Sequence, residues 1–224
     1  MLCYHNDKIL PAEEIKISPY DLGFLRGWGV FDFLRTYGGK PFKLPEHIRR
    51  FRASATIARL PVPYSDEKIE KLTEELLDKN GRPECCIRLM LSGGGKPDLS
   101  ETTFLILVES LHTFPAECYT KGIKVATINE HRLYPEAKTT CYLPALKAQS
   151  PYGRPAEEAG KINPFEVIYA PDGNVLEAST ANVFIVKDGK LITPKDGILK
   201  GITRQVVLEL CANEGETFVD TKVS

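Results

Sequence analysis

Three tight-turn signals cut much of this chain into short strand pairs. They are Gly38–Gly39 inside VFDFLRTYGGKPFKL, Asp172–Gly173 inside FEVIYAPDGNVLEA, and Asp188–Gly189 inside NVFIVKDGKLITP. Such dipeptides accept the positive φ angles of two-residue hairpin loops, and the flanking runs are rich in β-branched and aromatic residues. A chain punctuated in this way folds largely as hairpins. A fourth hairpin is expected in DKILPAEEIKIS, with its turn near Pro11–Ala12. CCIRLMLSGG and TFLILVES read as further strands.

Helical periodicity is confined to a few segments. From Pro45, residues Ile48, Phe51, Ala55 and Ala58 recur on one face until Pro61 and Pro63 stop the pattern. Ser65 then reads as the N-cap of a helix over 66–79, with Ile69, Leu72, Leu76 and Leu77 as its buried stripe. A short helix is expected near 143–149, interrupted by Pro151, Gly153 and Pro155, and a last one in GITRQVVLELCANEG, ending at Gly215. Residues 111–121, LHTFPAECYTK, follow neither period. The expected class is therefore α+β in two parts: an N-terminal domain over 1–113, a linker over 114–121 and a C-terminal domain over 122–224.

The 224 residues suffice for a real core, and 42% hydrophobic with 26% charged residues is an ordinary globular balance. A net charge of -1 gives no electrostatic basis for binding nucleic acid or an anionic membrane. No apolar run nears the roughly 18 residues that span a bilayer. The start, MLCYHNDKILPAEEIKIS, is too polar for a signal peptide, so the cytoplasm is the expected location. The six cysteines have no CxxC spacing and the four histidines stand apart from them, so free thiols and no metal are expected.

Four stretches carry candidate chemistry. Lys138, in PEAKTTCYLPALKAQSP, sits among small, hydroxylated and apolar residues; a lysine desolvated there would have its neutral, nucleophilic amine within reach of pH 7. By itself it is also an ordinary surface lysine. Glu177, in LEASTANVF, ends an apolar strand; it is either a solvated edge or a buried acid that needs a cationic partner. In LKGITRQVV, Gly201, Ile202 and Thr203 open a helix, where unpaired N–H groups favour an anion and Thr203 otherwise reads as an N-cap. Arg49, Arg50 and Arg52 read first as the solvated side of a helix. SGGGKPD at 92–98 lacks the spacing of a phosphate loop, and Pro97 stands where a serine or threonine would meet magnesium; it reads as a loop after a strand.

Taken together, H-I-R-R, A-K-T-T-x-Y, L-E-A-S-T-A-N-V-F and L-K-G-I-T-R fall in the order and spacing of the class IV (fold type IV) pyridoxal-phosphate aminotransferases. The resemblance runs from about Leu22 to about Asn213. The family includes D-amino-acid and branched-chain aminotransferases and 4-amino-4-deoxychorismate lyase. It implies a small N-terminal α/β domain, a larger C-terminal pseudo-barrel domain and pyridoxal 5'-phosphate as cofactor. Lys138 resembles the lysine that forms the imine link to the cofactor and later shuttles the proton. Glu177 resembles the acid that pairs with the pyridine nitrogen, and Arg50 the arginine on the phosphate. Gly201, Ile202 and Thr203 match the helix-start phosphate clamp, and Tyr142 the tyrosine on the phenolic oxygen. Amino acids and 2-oxo acids are the implied substrates and a homodimer the implied assembly.

The chain also departs from the family pattern. The D-amino-acid enzymes carry an R-G-T-S-like loop where this chain has SGGGKPD. The branched-chain V-F-E-G-I-R-x-Y becomes V-F-D-F-L-R-T-Y, with Phe33 in place of glycine. These departures point to a D-amino-acid transaminase in which Arg26 and Arg88 bind the carboxylate; a branched-chain aminotransferase and the lyase are the alternatives. SPYGRPAEEAGKINP is longer and more broken than the corresponding family helix. The relatives continue for some tens of residues past TFVDTKVS, so either a piece of the chain or a shortened site is expected.

Overall fold

The computed structural model describes residues 1–149 and 164–214, and the backbone of 218–220. The interruptions expected at Pro151, Gly153 and Pro155, the helix stop expected at Gly215 and most of TFVDTKVS lie outside the described residues. Two compact units emerge: residues 1–113 with 137–141, and residues 114–136 with 142–224. The lysine segment 137–141, expected in the C-terminal part, thus groups with the first unit.

The first unit is a six-stranded antiparallel sheet with helices on one face. Its strands are β1 (Leu2–His5), β2 (Lys8–Pro11), β3 (Gly29–Tyr37), β4 (Lys40–Pro41), β5 (Cys85–Ser92) and β6 (Thr103–Ser110), in the spatial order β2-β1-β6-β5-β3-β4. The first hairpin corrects the expected turn. The chain reverses at Asn6–Asp7, both with positive φ (38° and 68°), and Pro11–Ala12 instead leads into a short 3-10 turn. Asn and Asp tolerate the left-handed conformation that such a loop demands at both central positions, whereas proline is locked near φ -65°.

Helix α1 (Leu22–Arg26) is capped by Asp21, whose carboxylate accepts from Gly23 N–H at 2.7 Å. Helices α2 (Leu44–Ile57) and α3 (Asp66–Lys79) follow, and Ser65 caps α3 as the sequence predicts. Strand alternation divides the sheet residues. Val30, Ile87, Leu89 and Phe104 join Phe51 and Ile69 of the helices in one core. Phe31, Phe33, Arg88 and Glu109 stand at the alternate positions, on the other face.

The second unit holds two three-stranded sheets. β7 (Val125–Ile128) pairs in parallel with β8 (Glu166–Tyr169), which pairs antiparallel with β9 (Glu177–Ala178). β10 (Ile185–Lys187) and β11 (Lys190–Thr193) form the expected hairpin, with Asp188 and Gly189 at positive φ, and β12 (Phe218–Asp220) runs parallel to β11. A short helix, α4 (Ala116–Thr120), forms in the stretch expected to be a linker. Helices α5 (Leu143–Gln149) and α6 (Ile202–Asn213) complete the unit, with Ala145, Val167 and Tyr169 as a small core. No helix among the described residues is long and apolar enough to cross a membrane.

Candidate active site

Lys138 is held by its backbone on both sides. Its N–H donates to Ser54 Oγ at 2.9 Å, and its carbonyl accepts from Phe31 N–H at 2.9 Å. Thr139 bridges Val30 across the edge of β3, and Thr140 N–H donates to Gly29 O at 3.0 Å. The segment therefore runs as a short added strand on β3, which fixes where the side chain can go. Its amine lies 4.6 Å from the centroid of the Phe31 ring, on the sheet face opposite the helices. A cation over an aromatic face is an attractive arrangement that also keeps the amine partly out of water.

Arg50 belongs to the same unit and is joined to Lys138 through one hydroxyl. Ser54 Oγ accepts from Lys138 N–H and donates to the Arg50 carbonyl at 3.0 Å, the i−4 bond of a serine on a helix. The guanidinium is aimed by a residue that sequence reasoning overlooked. Asp32, fully buried on β3, accepts Arg50 Nε and Nη2 at 2.8 Å each and meets His47 Nδ1 at 2.6 Å. Burial pushes the Asp32 carboxyl up, but the donors of Arg50 and His47 outweigh it and hold it below the usual carboxylate range. The fork of Nε and Nη2 is thereby fixed, and Nη1 remains as a donor. The readable signal was an acid alternating into the core side of an apolar strand, with H-x-x-R to match it on α2.

Arg26 ends α1, exposed, with Nη1 donating to the Leu25 carbonyl. Arg88 on β5 is occupied: Nε and Nη2 donate to Glu109 Oε1 and Oε2 at 2.7 and 2.9 Å. Its guanidinium also stacks 4.7 Å from the Phe33 ring and 5.6 Å from Phe31.

In the second unit Glu177 is 2% exposed, and it has the cationic partner that a buried acid requires. Arg132 Nη1 donates to Oε1 at 2.8 Å, and Leu199 N–H donates to Oε2 at 3.0 Å. Asn182 of the same motif bonds the Leu199 carbonyl at 2.9 Å, tying Glu177 to the loop that enters α6. A second buried acid, Glu166, takes the hydroxyls of Ser179 and Thr180 and so fixes the turn after Glu177. Neither Arg132 nor Glu166 stood out in the sequence, because each partner is more than ten positions away.

Helix α6 opens at Gly201 with no side-chain cap and no acid in its first turn. Gln205 N–H already bonds Gly201 O, so the N–H groups of Ile202 and Thr203 point out of the helix end, the position an anion takes. A Cβ on Gly201 would fall 2.0 Å from Asn182 Oδ1, so a larger residue here would displace the Asn182 side chain. Thr203 is exposed and does not cap the helix. Tyr142 opens α5, its carbonyl accepting from Leu146 N–H at 3.0 Å.

The sequence pattern of the family described as amino-transferase class IV matches residues 29–224. A putative branched-chain-amino-acid aminotransferase of Methanocaldococcus jannaschii is 33% identical over 98% of this chain and 78% of that protein. A D-alanine aminotransferase of Staphylococcus haemolyticus is 29% identical over 95% of the chain and 76% of that protein. Among solved structures, the T.th. branched-chain amino acid aminotransferase with pyridoxamine 5'-phosphate superposes with a TM-score of 0.87 at 25% identity. That match covers 100% of this chain and 77% of that one. The branched-chain aminotransferase of Thermoproteus uzoniensis with norvaline gives 0.85 at 28%, covering 100% and 78%. The chain belongs to the class IV aminotransferase family.

Proposed function

We propose that this chain is a pyridoxal 5'-phosphate-dependent transaminase that moves an amino group from a D-amino acid to a 2-oxo acid. The observation that carries the reading is the presentation of Lys138, pinned through both peptide groups with its amine over Phe31. The residues fit the cofactor's three chemical handles. In the first unit the aimed guanidinium of Arg50 suits a phosphate and Lys138 an aldehyde; in the second the first turn of α6 suits a phosphate and buried Glu177 a protonated ring nitrogen.

When bound, pyridoxal phosphate supplies the electron sink that draws off the pair left at the substrate's Cα. The chain's own residues supply position and proton traffic. Lys138 takes the proton from Cα and returns it during transfer. In the first unit Arg50, and in the second the N–H groups of Ile202 and Thr203, each present donors that would suit the phosphate. Glu177, held by Arg132, would pair with a cationic ring nitrogen. Tyr142 would bond the phenolic oxygen, and Arg26 provides positive charge for the substrate carboxylate, whereas the fork of Arg88 is filled by Glu109.

Phe33 at the glycine of the branched-chain pattern and the D-alanine aminotransferase relatives support the D-amino-acid reading. The 33% identical relative supports a second one, L-branched-chain donors. Purified protein should be yellow with pyridoxal phosphate and lose that absorbance as Lys138→Ala. With 2-oxoglutarate as acceptor, D-alanine should give pyruvate while L-leucine and L-valine give no oxo acid. Product from the L-series decides for the branched-chain reading. Pyruvate released from aminodeoxychorismate with no acceptor decides for a lyase. A protein that takes up no pyridoxal phosphate sinks all three.

A further inference from the structure

We propose that His47 and Asp32 are positioning residues for the cofactor's phosphate: they lock the guanidinium of Arg50 in one orientation, and the chain's preference for a phosphorylated aldehyde depends on that lock. The inference rests on the transaminase reading, in which Arg50 meets the phosphate. Asp32 stands on the helix-facing side of β3, between Val30 and Leu34 of the core, and is fully buried. A carboxylate in that row is costly unless both oxygens are bonded. Oδ1 takes the N–H of Phe33 at 2.7 Å, Arg50 Nη2 at 2.8 Å and His47 Nδ1 at 2.6 Å, while Oδ2 takes Arg50 Nε at 2.8 Å. So close to a carboxylate oxygen, Nδ1 is the donating nitrogen of His47. Asp32 thus has no access to a ligand and acts only through the side chains it holds.

A buried ion pair adds little net stability over an apolar pair of the same shape, because both ions give up water. What this one adds is orientation. His47 and Arg50 lie three positions apart on α2, so they sit side by side and meet the same carboxylate oxygen. Nε and Nη2 face inward, the Arg50 side chain keeps 13% exposure, and Nη1 has no partner among the described residues. A guanidinium free to rotate loses that freedom on meeting a phosphate, which weakens binding; one fixed beforehand does not. The imidazole shares Oδ1 with Nη2 and so holds the carboxylate against rotation. Ser54, one turn on from Arg50, accepts the N–H of Lys138. The lysine for the aldehyde and the guanidinium for the phosphate are therefore both referred to α2, within one unit.

The test measures dissociation constants for pyridoxal phosphate and for pyridoxal, which has the same ring and aldehyde without the phosphate. Wild type is compared with Asp32→Asn, His47→Leu and His47→Asn. Asp32→Asn should bind pyridoxal phosphate about tenfold more weakly and His47→Leu about threefold, the scale of one loosened long side chain. Both should bind pyridoxal within about twofold of wild type, so the ratio of the two constants shifts. His47→Asn, whose amide can return an N–H near the place of Nδ1, should recover most of the loss. A role in stability alone would lower the melting temperature of these variants and leave the ratio as in wild type; that result would overturn the proposal. Equal losses for both aldehydes would do the same. His47→Leu reads the same ratio should Asp32→Asn fail to fold. A wild type that takes up neither aldehyde ends the transaminase reading and this inference with it. One that takes up pyridoxal phosphate, with an unmoved ratio in the variants, ends this inference alone.

Discussion

Ser54 Oγ accepts the N–H of Lys138 at 2.9 Å across 84 positions of sequence, so the segment carrying the lysine is fastened to the last turn of helix α2. The same hydroxyl donates to the Arg50 carbonyl. Ser54→Ala leaves the peptide N–H of Lys138 without this acceptor, at a cost of about 1–3 kcal/mol. The expected result is a melting temperature lower by several degrees, and weaker retention of pyridoxal phosphate on dialysis. A variant that melts and retains cofactor like wild type would show that the bond is dispensable.

Arg132 and Glu177 form a buried pair, with side chains 9% and 3% exposed. Removing one partner strands a charge, which typically costs about 3–5 kcal/mol, whereas replacing both costs far less. Arg132→Met should therefore lower stability to urea more than the double variant Arg132→Met/Glu177→Gln does. Equal losses would mean that the pair is not coupled.

Asp32 predicts a pH dependence. Its carboxyl is held below the usual range when folded, so its ionised form stabilises the folded chain above the unfolded value of about 4. That contribution fades as acid lowers the pH through the depressed folded value. Asp32→Asn should be less stable than wild type at pH 7, and the gap should close as the pH falls below about 4. Urea midpoints measured between pH 7 and 3 test this, and a gap that widens in acid contradicts it.

Two glycines in the 92–98 loop should respond differently to alanine. Gly94 has φ +66°, and a Cβ there would fall 1.6 Å from the Glu101 carbonyl oxygen, which is backbone and cannot swing aside. Gly95 has open space around its Cβ position. Gly94→Ala should cost at least about 1–3 kcal/mol, and Gly95→Ala should lie within about 0.5 kcal/mol of wild type. Thermal melts of the two variants side by side give the comparison.

The sequence by itself determined the elements whose signals are local. The helix capped by Ser65 and the hairpins at Asp188–Gly189 and Gly38–Gly39 depend on residues a few positions apart, and the structure has them. The first hairpin was misplaced for the same reason: Pro11 is a loud turn signal, but the reversal needed two positive φ angles and took them at Asn6 and Asp7. The family was legible because four motifs fall in order, although none alone outweighs the ordinary reading of a lysine, an arginine or an acid.

Only the tertiary structure decided who partners whom. Arg50 looked like the solvated side of a helix until Asp32 came to face it across a strand. Glu177 was an ambiguous strand-end acid until Arg132, 45 positions earlier, buried its charge. Arg88 looked available for a substrate until Glu109 filled its fork. The reason is physical: a charge or hydroxyl is read correctly only with its partner and its solvent exposure. Both are set by strand register and packing between residues far apart in the chain, which local periodicity does not encode.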